Sequence, residues 1–470
     1  MDRRGFLKAT AIGAAAGHAF GQTPGRPNIL FLIADDLTFR AVRALGNSQV
    51  ATPSIDRLMS RGTTFTHCFH QGSWSAAVCM PSRTMLNSGL TAFRARHEFE
   101  SAPLWGETFG RAGYDTYLIG KWHLSDTALA RSFQRTGSVS PGMFESGPDA
   151  YHRPSAGDRW VPWDTTRKGQ WLETAQWQKG AKAPIKHSAE IWADGAISHL
   201  RGAAHADKPF FLYVGFNSPH DPRQAPRAFV DRYPRERVDI PPSYLPEHPF
   251  DNGELKIRDE LLAPFPRTRE AVRLHRSEYY AHITYMDEQI GRILDALDAS
   301  GKAANTYVVL TADHGLAVGE HGLMGKQNLY EHSVRMPYVI AGPGIANGRR
   351  VDAMIYQHST FATTCDLAGI PVPDTVEFPS LGKLLRDESS SLHDAVFCWY
   401  RDLQRSVRTE EHKLIVYPKA GVTQLFDLRK DPWETAELSA DPKYGAIRKE
   451  LLERLRRFQR ELGDDICPPV

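Results

Sequence analysis

The sequence predicts an α/β sandwich, with a large, mixed but mostly parallel sheet between helices and a small α+β C-terminal domain carrying a short antiparallel sheet. Three observations carry this expectation. Four runs of apolar, β-branched and aromatic residues are continuous rather than alternating, which is the pattern of strands buried on both faces. Amphipathic helical patterns lie between them, as in a layered α/β fold. Each run stops at a polar cluster, and in such sheets ligands bind beyond the carboxyl ends of the strands.

The first run, 28–34, stops at Asp35-Asp36. Residues 54–61 fit a short amphipathic helix, and Pro81 suits the first turn of a helix over 82–90. The second run, 114–120, stops at Lys121-Trp122-His123, and the third, 210–216, at Asn217-Ser218-Pro219-His220. A long helix over 269–297 places Tyr280, Ile283, Met286, Ile290, Ile293, Leu294 and Leu297 on one face. The fourth run, 306–312, stops at Asp313-His314-Gly315. Two stretches read as irregular excursions from the sheet: 131–185, rich in Trp, Arg, Gly and Pro, and 219–267, rich in Pro and Arg. Past Gly369-Ile370-Pro371 come strand-like pieces at 395–400, 405–409, 414–417 and 424–428, then a charged amphipathic helix over 444–462. The expected organisation is a targeting segment at 1–21, a large N-terminal domain at 22–375 that carries the four polar clusters, and a small C-terminal domain at 376–470.

Bulk properties narrow the function classes. A net charge of +2 over 470 residues gives no field for a polyanion, which argues against nucleic acid as the main partner. No stretch reaches the roughly 20 apolar residues of a transmembrane helix. The cysteines Cys68, Cys79, Cys365, Cys398 and Cys467 match no zinc spacing. Their odd number and scatter do not suggest a disulfide framework. At the N-terminus, Arg3-Arg4 precedes a weakly apolar Ala/Gly run from Ala9 to Ala19. That resembles a twin-arginine export signal, and implies a periplasmic or secreted protein; the plain alternative is a mildly basic tail. This route exports folded protein, so a modification made before folding belongs to the cytoplasm.

Adjacent carboxylates repel unless a cation neutralises them, so Asp35-Asp36 reads either as a site for a hard cation or as a solvated turn. Asp313-His314 at a second strand end adds a carboxylate and an imidazole, or a turn cap. Cys79-Met80-Pro81-Ser82-Arg83 is the sharpest signal. A cysteine at a helix N-terminus meets unpaired N–H groups and the positive dipole end, and Arg83 offers a fork for an oxyanion. The alternative is a buried structural cysteine. His67, His70, His97 and Trp74 flank this segment. Tyr151, His152, Arg153, Arg159, Trp160, Trp163, Trp171 and Trp177 in the first excursion suit sugar stacking and anion pairing, or the anchoring of a long loop.

Cys-x-Pro-Ser-Arg resembles the maturation signature of the type I sulfatases, in the alkaline phosphatase superfamily. Asp35-Asp36, Gly120-Lys121-Trp122-His123, Ser218-Pro219-His220, Asp313-His314-Gly315 and Gly325-Lys326 follow in that family's order, with Leu425-Phe426-Asp427-Leu428 and Asp431-Pro432-Trp433-Glu434 in the C-terminal part. The resemblance implies an alkaline-phosphatase-like sandwich and a Cys79 oxidised to formylglycine (3-oxoalanine) by a formylglycine-generating or radical maturation enzyme. It implies one divalent ion, Ca²⁺ or alternatively Mg²⁺, held by Asp35, Asp36, Asp313, His314 and residue 79. His314 departs from the Asn common in the family. Arg83, Lys121, His123, His220 and Lys326 would surround the nucleophile and the sulfate.

The implied chemistry is attack on sulfur by one oxygen of the hydrated aldehyde, with His220, aided by Lys326, protonating the leaving oxygen. His123 would take the proton whose loss expels sulfate. The expected substrate is a sulfated carbohydrate. Two rivals stand beside this: a phosphonate monoester or phosphodiester hydrolase of the same superfamily, and an unmodified, non-catalytic protein that binds sulfated glycans.

Overall fold

The computed structural model describes residues 25–140, 142, 186–202 and 208–465. The export signal, the aromatic and basic residues singled out between 151 and 177, and Cys467 lie outside the described residues. In chain order the strands are β1 (Asn28–Ala34), β2 (Gly62–Phe69), β3 (Gly72–Ser73), β4 (Asp115–Lys121), β5 (Arg135–Ser140), β6 (Phe210–Gly215) and β7 (Thr306–Ala312). They continue with β8 (Arg335–Ala341), β9 (Arg349–Tyr356), β10 (Val396–Tyr400), β11 (Gln404–Arg408), β12 (His412–Tyr417) and β13 (Val422–Asp427).

The main sheet runs β5-β4-β6-β1-β7-β8-β2-β9. Its first five strands are parallel, β8 is antiparallel to both neighbours, and β9 is parallel to β2. The four continuous apolar runs are its four adjacent central strands, β4, β6, β1 and β7. Every residue of β1, β6 and β7 is buried, because helices cover both faces. The first excursion is less irregular than its composition suggests: it opens with β5, a polar edge strand laid beside β4.

Helix Arg269–Ala299 packs across the sheet against helices Pro53–Ser60 and Ser188–Arg201, and the seven residues expected on its inner face are all buried. The helix after the Cys79 loop begins earlier than expected, at Cys79 itself, and ends at Ser88. The second sheet runs β13-β12-β11-β10-β3, with helix Gly445–Leu462 packed on β11 and β12. Its edge strand β3 comes from the segment leading to Cys79 and pairs parallel to β10, Gly72 opposite Trp399. Only glycine fits there: φ is +135°, and a Cβ would lie 2.1 Å from the Trp399 carbonyl oxygen.

Candidate active site

The four polar clusters meet beyond the carboxyl ends of the central strands. Backbone bonds keep those ends in register, with Asp35 N donating to Ser218 O and Asp313 N to Ala34 O, each at 3.1 Å. Asp36 turns the chain at φ +68° and His123 at φ +64°, left-handed conformations that cost roughly 1–3 kcal/mol for non-glycine residues and persist where surroundings impose them. At Asp36 the surroundings are specific. The buried Tyr279 hydroxyl donates to Asp36 O at 2.5 Å and accepts from Thr38 N at 3.1 Å.

Asp35, Cys79, Asp313 and His314 present ligand atoms within 4.8 Å of one another, and Asp36, Cys79 and His220 form a second such group. His314 Nε2 lies 3.1 Å from Cys79 Sγ, 3.3 Å from Asp36 Oδ1 and 3.6 Å from Asp313 Oδ1. Its Nδ1 donates to Gly315 O at 2.9 Å, which turns Nε2 toward the carboxylates. Asp35 Oδ1 and Asp36 Oδ2 are buried without a hydrogen-bond partner. Burial, then Asp313 and Cys79, push the Asp35 carboxyl well above its ordinary range. Burial acts the same way on Asp313, but His314, Arg83 and Lys121 outweigh it and bring that group to about 2. Two carboxylates and an imidazole gathered on Cys79, with Asp36 adjoining in the second group and two bare oxygens, are a donor set that fits a divalent cation. The imidazole departs from the all-oxygen shell usual for calcium.

Cations lie among these carboxylates. Lys121 Nζ pairs with Asp35 Oδ2. Lys326 Nζ sits 2.8 Å from Asp36 Oδ1 and 3.4 Å from Cys79 Sγ. Burial alone would raise the Cys79 thiol, yet Lys121, Lys326 and His314 hold it well below the usual range, and His123 bonds to the same side chain. His123 itself is lowered, first by burial. His220 Nδ1 donates to Asp221 O at 2.7 Å, and its Nε2 lies 4.0 Å from Asp36 Oδ2. Two of the Arg83 donors are already engaged, while its Nη2 is buried without a hydrogen-bond partner. Its Nε donates to Asp313 Oδ2 at 3.0 Å and its Nη1 to Lys121 O at 2.8 Å, so it braces the site from within.

Of the flanking residues, His70 reaches the site, its ring 6.3 Å from that of His314. His67 instead faces Arg335, Arg408 and Glu331, and His97 is exposed on helix Ala92–Glu98. Trp74 is half-buried between β3 and Cys79. Two supports escaped the sequence reading. Ser82 Oγ donates to Asp313 O at 2.6 Å, and Gln357 Nε2 donates to the same carbonyl at 3.1 Å. Ser82 stood inside the cysteine motif; nothing local distinguishes Gln357.

A family model described as Sulfatase matches residues 27–370, and one described as N-sulphoglucosamine sulphohydrolase, C-terminal, matches 319–461. A choline-sulfatase of Rhizobium meliloti is 30% identical over 451 residues, covering 90% of this chain and 84% of that protein. Two solved structures share the fold. A phosphonate monoester hydrolase from Silicibacter pomeroyi superposes with a TM-score of 0.75 at 21% identity, over 93% of this chain and 96% of its own. A protein solved with its substrate D-glucosamine-2-N,6-O-disulfate superposes with a TM-score of 0.73 at 22% identity, over 94% and 99%. With the family matched over most of its length and across both sheets, this chain belongs to the sulfatase family, and it is a sulfuric ester hydrolase of alkaline-phosphatase-like fold.

Proposed function

We propose that this sulfatase removes sulfate from a sulfated carbohydrate, using a formylglycine made from Cys79 beside one divalent ion, calcium or magnesium. The reading rests on one observation: Asp35, Asp36, Asp313 and His314 crowd Cys79 together with Lys121 and Lys326, each lysine paired to one of the adjacent carboxylates. The thiol sulfur stands in for the oxygens of the hydrated aldehyde. When present, that diol supplies the nucleophile, and the cation supplies positive charge for the sulfuryl oxygens.

The remaining roles fall to the chain's own side chains. Lys121 and Lys326 offset charge on the transferring group in a buried site, where such contacts are strong. Arg83 holds Asp313 and the Lys121 backbone in position. His220 keeps Nδ1 on the Asp221 carbonyl and carries at Nε2 the proton for the leaving oxygen, with Lys326 beside it. His123 takes the proton whose removal frees the sulfate. The carbohydrate substrate is supported by the disulfated glucosamine bound to a structural neighbour. Maturation requires a formylglycine-generating or radical enzyme, and Arg3-Arg4 supports twin-arginine export to the periplasm or beyond. Among the described residues, no helix is long and apolar enough to cross a membrane.

The second reading, phosphonate monoester hydrolysis, is favoured by the superposition on such an enzyme. Hydrolysis of 4-nitrophenyl sulfate and of the matching phosphonate monoester separates the two. The expected result is a higher kcat/KM on the sulfate; the reverse order selects the second reading. Mass spectrometry of the peptide carrying residue 79, from protein expressed with a maturation enzyme, should show a lighter residue than cysteine. A retained thiol in active enzyme refutes the formylglycine nucleophile.

A further inference from the structure

The Pro- and Arg-rich excursion returns to the pocket at Arg258-Asp259-Glu260, and each of these side chains engages a different wall. Arg258 binds the Asp221 carboxylate through both Nη atoms, Nη2 at 3.3 Å from Oδ1, and Nη2 also lies 2.5 Å from Asp259 Oδ1. Asp259 Oδ2 accepts from Gln327 Nε2 at 2.8 Å. Gln327 in turn accepts from Lys326 N at 3.0 Å and donates to Ala76 O, just ahead of Cys79, at 2.9 Å. Glu260 accepts from Met324 N at 2.8 Å and Gly325 N at 2.9 Å, fixing the turn that carries Lys326. On the other wall, Asp221 Oδ1 lies 3.4 Å from His220 Nδ1. Asp221 and Asp259 are both buried. Without a guanidinium between them they would repel, whereas a forked pair fixes distance and angle together.

We propose that Arg258 is a positioning residue for leaving-group departure: bridging Asp221 and Asp259, it holds His220 and Lys326 at a set separation across from Cys79. This rests on the reading of His220 as the proton donor to the departing alcohol. Arg258 touches neither ester nor nucleophile in this role; it acts through Asp221 on one side and through Asp259 and Gln327 on the other. Lysine cannot replace it, because a single ammonium lacks the planar fork.

The test uses matured, metal-loaded enzyme with two substrates, 4-nitrophenyl sulfate and an alkyl sulfate whose alkoxide leaves poorly. Arg258→Ala should lower kcat on the alkyl sulfate by about tenfold to a hundredfold, leave KM nearly unchanged, and affect the aryl sulfate much less. Arg258→Lys should rescue little. Asp221→Asn preserves shape and should reproduce the pattern if Arg258→Ala does not fold. The double variant Arg258→Ala/His220→Ala should be no slower on the alkyl sulfate than His220→Ala alone, since both changes remove the same step. Equal losses on both esters, or losses that multiply in the double variant, overturn the proposal when His220→Ala keeps its selective loss. If His220→Ala slows both esters equally, the proton-donor reading itself fails and takes the proposal with it.

Discussion

Two clusters of buried charge in this chain use similar residues for opposite ends. In the pocket, Asp35 and Asp36 each give one oxygen to a lysine and leave the other bare, so the cluster points at a shared centre. At the junction with the second sheet the charges close on one another. Lys413 Nζ lies 3.3 Å from Glu331 Oε1 and 2.9 Å from Glu434 Oε1, Arg335 Nη1 lies 3.2 Å from Glu331 Oε2, and Arg408 Nε 3.6 Å from Glu331 Oε1. Burial would raise Glu331, but Lys413, Arg408 and Arg335 hold it well below the glutamate range, while burial raises Glu434 beside it; in the pocket Asp35 is raised and Asp313 lowered, so the bare oxygens rather than the titrations set the two clusters apart. A closed cluster binds the protein to itself; an open one stores repulsion that a ligand relieves.

The largest expected effect tests the open cluster. Asp35→Ala should cut turnover by more than about a hundredfold and strip the metal, as read by elemental analysis of the purified protein. Retained activity and metal content would contradict the proposed shell. In chelator at neutral pH, Asp35→Asn should melt at a higher temperature than the wild type, because a crowded buried carboxylate has been neutralised. A lower melting temperature would make the pocket a stabilising cluster like the junction.

The closed cluster predicts the reverse balance. Glu331→Gln takes the carboxylate from Arg335 and Arg408 and leaves Lys413 with Glu434 alone, and should cost about 3–5 kcal/mol in denaturant unfolding, with kcat per folded molecule unchanged. The pH dependence sharpens this. Glu331 is depressed in the folded state, so its contribution is present above the ordinary glutamate pKa of 4.5 and is lost as pH falls toward the lower folded value. Wild type should therefore lose stability with acid more steeply than Glu331→Gln, and parallel curves would remove Glu331 from the account.

The smallest effect concerns a carboxylate held by backbone. Asp287 accepts from Ser54 N at 2.9 Å and Ile55 N at 2.8 Å, and burial raises it from 3.8 to about 6. The sign is opposite to that of Glu331. Its contribution to stability is complete below 3.8 and is lost as pH rises through about 6. Asp287→Asn should flatten the stability curve over that window, and an unchanged slope would show that the burial penalty is relieved in some other way.

The four central strands were legible because burial on both faces leaves an unbroken apolar run, visible without any knowledge of partners. The outer strands were not. Strand β2 is buried yet carries Thr63, Thr64 and Thr66, β9 begins with two arginines, and Pro337 inside β8 reads as a strand breaker. The site divides in the same way. Asp35, Asp36, Asp313 and His314 follow directly after strands, Lys121 ends β4, and His123 and His220 lie in the turns beyond β4 and β6, so the sheet assembles them, and the cysteine motif adds Cys79 and Arg83. Gln357 and Arg258 carry no local mark.

By itself, then, the sequence determined the central sheet, the family and which polar clusters stand at the strand ends, since each is written in short patterns that depend only on neighbours along the chain. Tertiary structure alone decided that Asp36 meets Asp313 across 277 residues, that Arg83 pairs with Asp313, and that a distant arginine stands behind His220. These are outcomes of strand order and loop return. They depend on which distant segments close on one another, and nothing within a short stretch of chain specifies that closure.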